Sequence, residues 1–281
     1  ERYREALVLY LKSAEEEGNA EAGFKIATEY RYGWYSTPDE QKAIKWYHWA
    51  AERGSCWAQY VLGDIYNYGS LNLEKDKAEA MKWYLRASEH DTTDGCKLWS
   101  TKNIGDMYYY GVGVTRDIEE GVKWYRRAAW GGWTRSQLEL GVMLRDGTNV
   151  RKDYTEALML FRMAAEGGTD GDPNGKLYLG EMYEQGKGVL QDYLEAAKWY
   201  ERAAKQGVPI AQYKLGVMYM RGLGIRQNYT RAYIWLTIAA SKKDETAAKN
   251  LRVMSKEMDP GEIEKGKRLS SECIEKEFKG C

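Results

Sequence analysis

The chain has 281 residues, 43% of them hydrophobic and 30% charged, and its 42 basic and 42 acidic side chains cancel to a net charge of zero. That balance leaves no basic excess to meet a nucleic-acid backbone. No stretch approaches the roughly 18 consecutive apolar residues of a membrane-crossing helix, so neither nucleic-acid binding nor membrane insertion is expected.

The first segment, residues 3–14, carries Tyr3, Glu5-Ala6-Leu7, Tyr10 and Ser13-Ala14. It reads as the second helix of a helix pair whose first helix is missing. The chain is therefore expected to begin inside a repeat, as a half-repeat cap or after loss of an upstream segment. From there a fixed pattern takes over. Glycines of a recurring Leu-Gly pair, or its close variants, stand at Gly63, Gly105, Gly141, Gly180 and Gly216, at intervals of 42, 36, 39 and 36 residues. Trp46, Trp83, Trp124, Trp199 and Trp235 keep step with them, usually within a Trp-Tyr pair. A period of this size means stacked copies of one supersecondary unit.

The sixth unit shows the grammar. Ala211, Leu215, Met218 and Tyr219 recur at helical spacing, Gly222-Leu223-Gly224 breaks the helix, and Ala232, Trp235, Leu236, Ala239 and Ala240 resume it. Each unit is thus helix A, a Gly-rich turn, and helix B. The small residues leave room where two helices cross, and the large rings fill the space around them. Two stretches interrupt the period, His90 to Asp94 and Thr169 to Asn174. Beyond Met254 the pattern changes. Asp259-Pro260-Gly261-Glu262 is a helix start, and the polar helix that follows is expected to cap the stack.

Repeats five and six carry the pattern Ala-Gln-x-x-Leu-Gly-x-Met-Tyr-x-x-Gly-x-Gly-Val and then Asp-Tyr-x-x-Ala-x-x-Trp-Tyr-x-x-Ala-Ala-x-x-Gly almost complete, at Tyr178 to Gly207 and Ala211 to Ala240. On these motifs the chain resembles Sel1-like repeat proteins, relatives of tetratricopeptide repeats, over roughly residues 1–255. The resemblance implies an all-α, right-handed solenoid of about six helix-turn-helix repeats, with a preceding half-repeat and a C-terminal capping helix and tail at residues 256–281. It implies that helices A line the concave side. It also implies a non-enzymatic scaffold or adaptor with a protein or peptide partner. A bacterial origin is expected, with a periplasmic or secreted setting first and the cytoplasm as the alternative. The alternative within the family is a secreted hydrolase-like protein acting on β-lactam or cell-wall substrates.

The residues do not favour that alternative. The two histidines, His48 and His90, form no His-Glu-x-x-His arrangement, and there is no Cys-x-x-Cys, Gly-x-Ser-x-Gly or Ser-x-x-Lys. Gly111-Val112-Gly113-Val114 and Gly186-Lys187-Gly188-Val189 recur at repeat turns and lack the Gly-Lys-Ser/Thr of a phosphate loop. No catalytic residue, metal or cofactor is expected. Some secreted members carry a cysteine pair in every repeat, a ladder absent here. Cys56, Cys96, Cys273 and Cys281 are expected as free or buried thiols. A bend at Gly280 would be needed to join the last two.

Function is expected where the chain departs from its own repeat average. Trp34, Trp49, Trp57, Trp99, Trp130 and Trp133 lie off the repeated Trp position, and all precede residue 134. Trp57 and Trp99 share one place at the start of helix A, where other repeats hold Glu21, Arg135, Asn174 and Ile210. A second ladder precedes the turn glycine. It reads Tyr32, Tyr68 and Tyr110 in repeats one to three but Asp146, Gln185 and Arg221 in repeats four to six, with Tyr109 beside it. Aromatic rings dominate binding hot spots. Tyr32, Trp34, Trp57, Tyr68, Trp99, Tyr109 and Tyr110 are therefore the candidate partner-binding residues of a groove in repeats one to three. The competing reading makes these rings padding between irregular repeats.

Overall fold

Fifteen helices and no strand make up the computed structural model, which describes residues 2–34, 37–92 and 94–278. In chain order they are α1 (Arg2–Glu17), α2 (Ala20–Tyr32), α3 (Glu40–Glu52), α4 (Cys56–Tyr68), α5 (Lys77–Ser88), α6 (Gly95–Tyr110), α7 (Ile118–Trp130), α8 (Thr134–Asp146), α9 (Tyr154–Glu166), α10 (Pro173–Gln185), α11 (Tyr193–Lys205), α12 (Pro209–Arg221), α13 (Tyr229–Ser241), α14 (Glu245–Met254) and α15 (Pro260–Glu275). Contacts divide the chain into two compact units, Glu1–Ser136 and Gln137–Cys281. In the first, α2/α3, α4/α5 and α6/α7 pack as consecutive pairs, with α1 against α2. In the second, α10/α11 and α12/α13 do the same, and α14 and α15 close against α13.

The helix ends follow from local chemistry. An Asp or Asn stands ahead of each B helix and its carboxylate or amide accepts from the first-turn backbone, as Asp76 does from Glu79, Asp117 from Glu120 and Asn228 from Arg231. Such a cap is worth about 1 kcal/mol. At the other junction Gln59 and Gln212 reach back to the carbonyls of Ala51 and Ala204, which end the preceding helix and would otherwise be orphaned. The A helices stop at glycines in the left-handed region, such as Gly69 at φ 71°, where a side chain would be strained. The expected final helix is present. Asp259 and Glu262 form a reciprocal capping box around Pro260.

The repeating core has a specific rule. The Leu-Gly glycine of helix A receives the face of a ring from its partner helix B. A Cβ on Gly63 would come within 2.4 Å of the Tyr84 ring, and one on Gly180 within 2.5 Å of the Tyr200 ring. Tyr125 and Phe161 cover Gly105 and Gly141 in the same way, and Leu236 covers Gly216. Tyr84 and Tyr200 are fully buried, and their hydroxyls donate to Asp64 and Glu184 on the facing helix, both at 2.6 Å. The tryptophan of the Trp-Tyr pair turns the other way. Arg86, Arg127 and Arg202 lie over Trp83, Trp124 and Trp199, 4.6–4.9 Å from the ring centroids. The Ala-Ala pairs at the ends of helices B are buried, as Ala50/Ala51, Ala128/Ala129 and Ala203/Ala204 show.

Because Tyr84 is held at both its face and its hydroxyl, it cannot swing aside for a new methyl group. Gly63→Ala is therefore expected to destabilise the first unit by about 1–3 kcal/mol, the usual cost of overpacking. The same holds for Gly180→Ala in the second. Chemical denaturation checks this, and an unchanged midpoint would show that the ring has room to move.

His48 on α3 contributes a pH dependence. It is half-buried, its Nε2 lies 3.0 Å from the Tyr66 hydroxyl, and its ring meets Trp83 edge-on. Burial holds its pKa below the usual value of 6.5. The unfolded chain thus binds the proton more readily than the folded one. The stability contributed by neutral His48 is full above pH 6.5 and is lost as pH falls below it. The native protein should therefore lose more melting temperature between pH 7 and pH 5 than His48→Gln does. Parallel losses would contradict this assignment.

The cysteines correct the sequence reading. Cys56 and Cys96 are not thiols but a disulfide across 40 residues. Cys273 is disulfide-bonded as well, whereas Cys281 lies outside the described residues. The chain leaves helical geometry just after α15, with Glu277 and Phe278 at positive φ.

Candidate functional site

The tyrosine ladder is exposed. Tyr32, Tyr68 and Tyr110 each end an A helix one residue ahead of its C-cap glycine, and they are 53%, 65% and 66% accessible. None of the three is part of the buried core. Trp34, also exposed, stacks on Tyr32 with ring centroids 5.2 Å apart. Arg31 lies over Tyr32 and Lys77 near the face of Tyr68. Tyr109 differs. It is half-buried and meets both Tyr110 and the buried Tyr125, so it links the exposed ring to the core.

The helix-start ladder is more embedded. Trp57 is half-buried, edge-on to Tyr60, and lies so close to Gly95 that a Cβ there would be 3.2 Å from the indole. Trp99 is 41% accessible, edge-on to Tyr60 at 5.4 Å and tilted against Trp133 at 5.4 Å. The disulfide joins the first turns of α4 and α6, one turn ahead of Tyr60 and Trp99 respectively.

These rings frame a cleft of about 300 Å³ in the first unit, lined by Tyr60, Asp64, Tyr68, Trp99, Lys102, Asn103, Trp133 and Arg135. Of the expected residues it unites Tyr68 and Trp99. Trp57 stands behind Tyr60, and Tyr32, Trp34, Tyr109, Tyr110 and Trp130 do not line it. Sequence reasoning missed Tyr60, Asp64, Lys102 and Asn103 altogether. It noted Arg135 as the repeat-four residue at the Trp57/Trp99 position, and it named Trp133 as off-register without making it a candidate. The helix register was the signal that could have found them, since Tyr60 and Lys102 share one position and Trp57, Trp99 and Arg135 another.

The polar groups of the cleft form an ordered set. Asp64 accepts from the Tyr84 hydroxyl and from Asn103. Lys102 pairs with Asp106 at 2.5 Å, and Asp106 also accepts from Tyr125 at 2.7 Å. Burial, with Asp64 beside them, pushes the Tyr60 and Tyr84 phenols well above their ordinary range, so both stay neutral donors. Among the described residues no group of three or more His, Cys, Asp or Glu could hold a metal ion. No described helix is long and apolar enough to cross a membrane. In the second unit, another cleft of about 300 Å³ lies where α15 packs on α13. Its tryptophan, Trp235, is buried, so it offers no exposed ring.

Comparison with known proteins places this architecture. The Sel1 repeat family matches residues 20–55, 58–91, 102–131, 134–169, 173–208 and 209–244. The chain is 32% identical to human protein sel-1 homolog 2 over 125 residues, 44% of this chain and 17% of that protein. It is 28% identical to chitin synthase regulatory factor 3 of Schizosaccharomyces pombe over 142 residues, 49% of this chain and 14% of that protein. The chain thus spans under a fifth of either relative's length. Among solved structures, a Sel1 repeat protein from Oxalobacter formigenes is 31% identical with a TM-score of 0.60, over 80% of this chain and 88% of that one. A protective antigen of uropathogenic Escherichia coli strains shares the fold at 23% identity and a TM-score of 0.51, over 97% of this chain and 80% of that one.

Proposed function

Because the chain belongs to the Sel1 repeat family, whose repeats mediate protein–protein interaction, we propose that repeats one to three hold an extended segment of a protein partner. The contact surface runs over Tyr32, Trp34, Tyr68, Tyr110 and Trp99, with Trp57 and Tyr109 as the half-buried rings behind it. The protein works as a non-enzymatic scaffold, and residues 256–281 cap its last repeat. One observation carries this reading. Three tyrosines in the same register stay more than half exposed, while the repeats that lack them show the fold does not need them. Large rings leave a great deal of apolar area in water, a cost that a partner removes.

Photo-crosslinking tests it, with benzoylphenylalanine at Tyr68 and, as control, at Lys123, an exposed position on α7. A protein captured from Tyr68 and not from Lys123 should bind the native chain and should lose affinity when the tyrosine ladder is exchanged. Equal affinity for the exchanged chain would refute the groove.

A further inference from the structure

We propose that the Cys56–Cys96 bond is a redox-sensitive clasp on the start of α6, and that opening it frees Trp99 from the cleft and turns partner binding off. This inference rests on the groove reading and adds the regulation of that site.

The start of α6 lacks the fastenings found at the other described junctions. Asn19, Ser55 and Asp172 accept from first-turn backbone N–H groups of α2, α4 and α10. Asp94, at the same place ahead of α6, makes no side-chain cap. The helix then begins on Gly95, a poor helix former. A second fastening sits four residues before the Leu-Gly glycine. There Gln59, Lys176 and Gln212 reach back to the carbonyls of Ala51, Gly171 and Ala204. Repeat three has Thr101 at that place, and its hydroxyl donates to Lys97 within α6 itself. Helix α12 also lacks a side-chain cap, but it starts on Pro209 and keeps the Gln212 bond. His90, 2.9 Å from Gln59, ties the chain ahead of α6 rather than α6 itself. The covalent link to α4 stands where both fastenings are missing.

The rings of the site depend on that link. Trp99 lies three residues beyond Cys96 and meets Tyr60 and Trp133. Trp57 follows Cys56 directly and packs on Gly95. The two sulfurs differ in access, since Cys96 is fully buried and Cys56 half-buried. A thiolate of an incoming dithiol therefore attacks Cys56 Sγ. The S–S bond breaks, its electron pair leaves on Cys96 Sγ, and that sulfur takes up a proton. The second thiolate of the dithiol closes the reductant's own disulfide and releases Cys56, which takes up the other proton. Two electrons and two protons pass to the protein. The Cys56 thiol then has an acceptor in place, the Ala87 carbonyl at 3.7 Å. Cys96 is left on an uncapped helix end, so the side that lets go is α6.

Residue-resolved hydrogen exchange tests this on the chain carrying Cys273→Ala and Cys281→Ala, where reduction acts on one bond. The amides of residues 99–102 donate to the carbonyls of Gly95 to Leu98 in a regular helix. Dithiothreitol should raise their exchange rates at least tenfold more than those of residues 107–110, at the far end of the same helix. Cys56→Ala with Cys96→Ala should show the same contrast without reductant. Reduction should also weaken affinity for the protein captured at Tyr68 at least tenfold. A loss of protection that is uniform over the first unit, or no loss, overturns the clasp. So does an opened helix start with unchanged affinity, which leaves the groove standing. Capture of no partner at Tyr68 fails the groove reading itself and takes the regulation of binding with it.

Discussion

Exchanging Tyr32, Tyr68 and Tyr110 together for Asp, Gln and Arg is expected to weaken partner binding at least several-hundred-fold while leaving the fold in place. The incoming residues are those that repeats four to six carry at the same register, Asp146, Gln185 and Arg221. Their backbone, the last residue before a left-handed glycine cap, is the same in both contexts at Gly69 and Gly222. With the three rings 53–66% accessible, each substitution should change stability by no more than about 0.5 kcal/mol, as surface changes usually do. A hot-spot aromatic costs about 2 kcal/mol or more on truncation. Two genuine contacts therefore give about 4 kcal/mol, close to three decades in affinity before non-additivity. The measurement is affinity for the crosslinked partner beside a thermal melt. Normal melting with normal binding would remove the groove, and failure to fold would return the rings to the core.

Trp57 and Trp99 belong in a separate variant. Borrowing Glu and Arg from repeats one and four at these places would strip the rings that flank Tyr60 and, at Trp57, empty the space beside Gly95. Part of any loss of binding would then come from lost packing. Keeping the two ladders apart lets the tyrosine exchange report contact alone.

Opening the Cys56–Cys96 bond should lower the stability of the first unit by about 4 kcal/mol. In the chain-entropy account, a cross-link over 40 residues removes that much disorder from the unfolded chain. Cys96 is fully buried, so the clean substitution is Cys56→Ala with Cys96→Ala, which leaves no buried hydroxyl. For a chain of this size the melting temperature should fall by about 10 °C. Treating the native protein with a phosphine reductant should lower its melt by more than the same treatment lowers the variant's, because the variant keeps only the bond at Cys273 to lose. A native melt indifferent to reduction would mean the bond adds nothing. Because the bond ties the helix turns that precede Tyr60 and Trp99, reduction should also weaken any ligand of the cleft more than substitutions in the second unit do.

The fold was legible because a solenoid writes its packing into the sequence at every repeat. Gly63, Gly105, Gly141, Gly180 and Gly216 mark helix crossings, and the Asp or Asn ahead of each B helix marks a cap, so periodicity alone yields helix pairs and their order. The exposed tyrosines were legible for the same reason. A residue that departs from its own register, where other repeats tolerate Asp, Gln or Arg, is not required by packing.

What the sequence could not determine was anything that breaks register or combines repeats. Counted back from the Leu-Gly position, Cys56 stands seven residues ahead of Gly63 and Cys96 nine ahead of Gly105. A periodic reading therefore never sets them side by side. The longer α6, which begins at Gly95, carries Cys96 in its first turn and so brings the two together. Over Gly63, Gly105 and Gly180 the packing of helix B decided that the tyrosine of the Trp-Tyr pair covers the glycine while the tryptophan carries an arginine on its face. The cleft itself draws Tyr60 and Asp64 from one repeat, Lys102 and Asn103 from the next, and Trp133 and Arg135 from beyond it. Each is unexceptional in its own repeat, and only the stacking of helices decides that their side chains share one space.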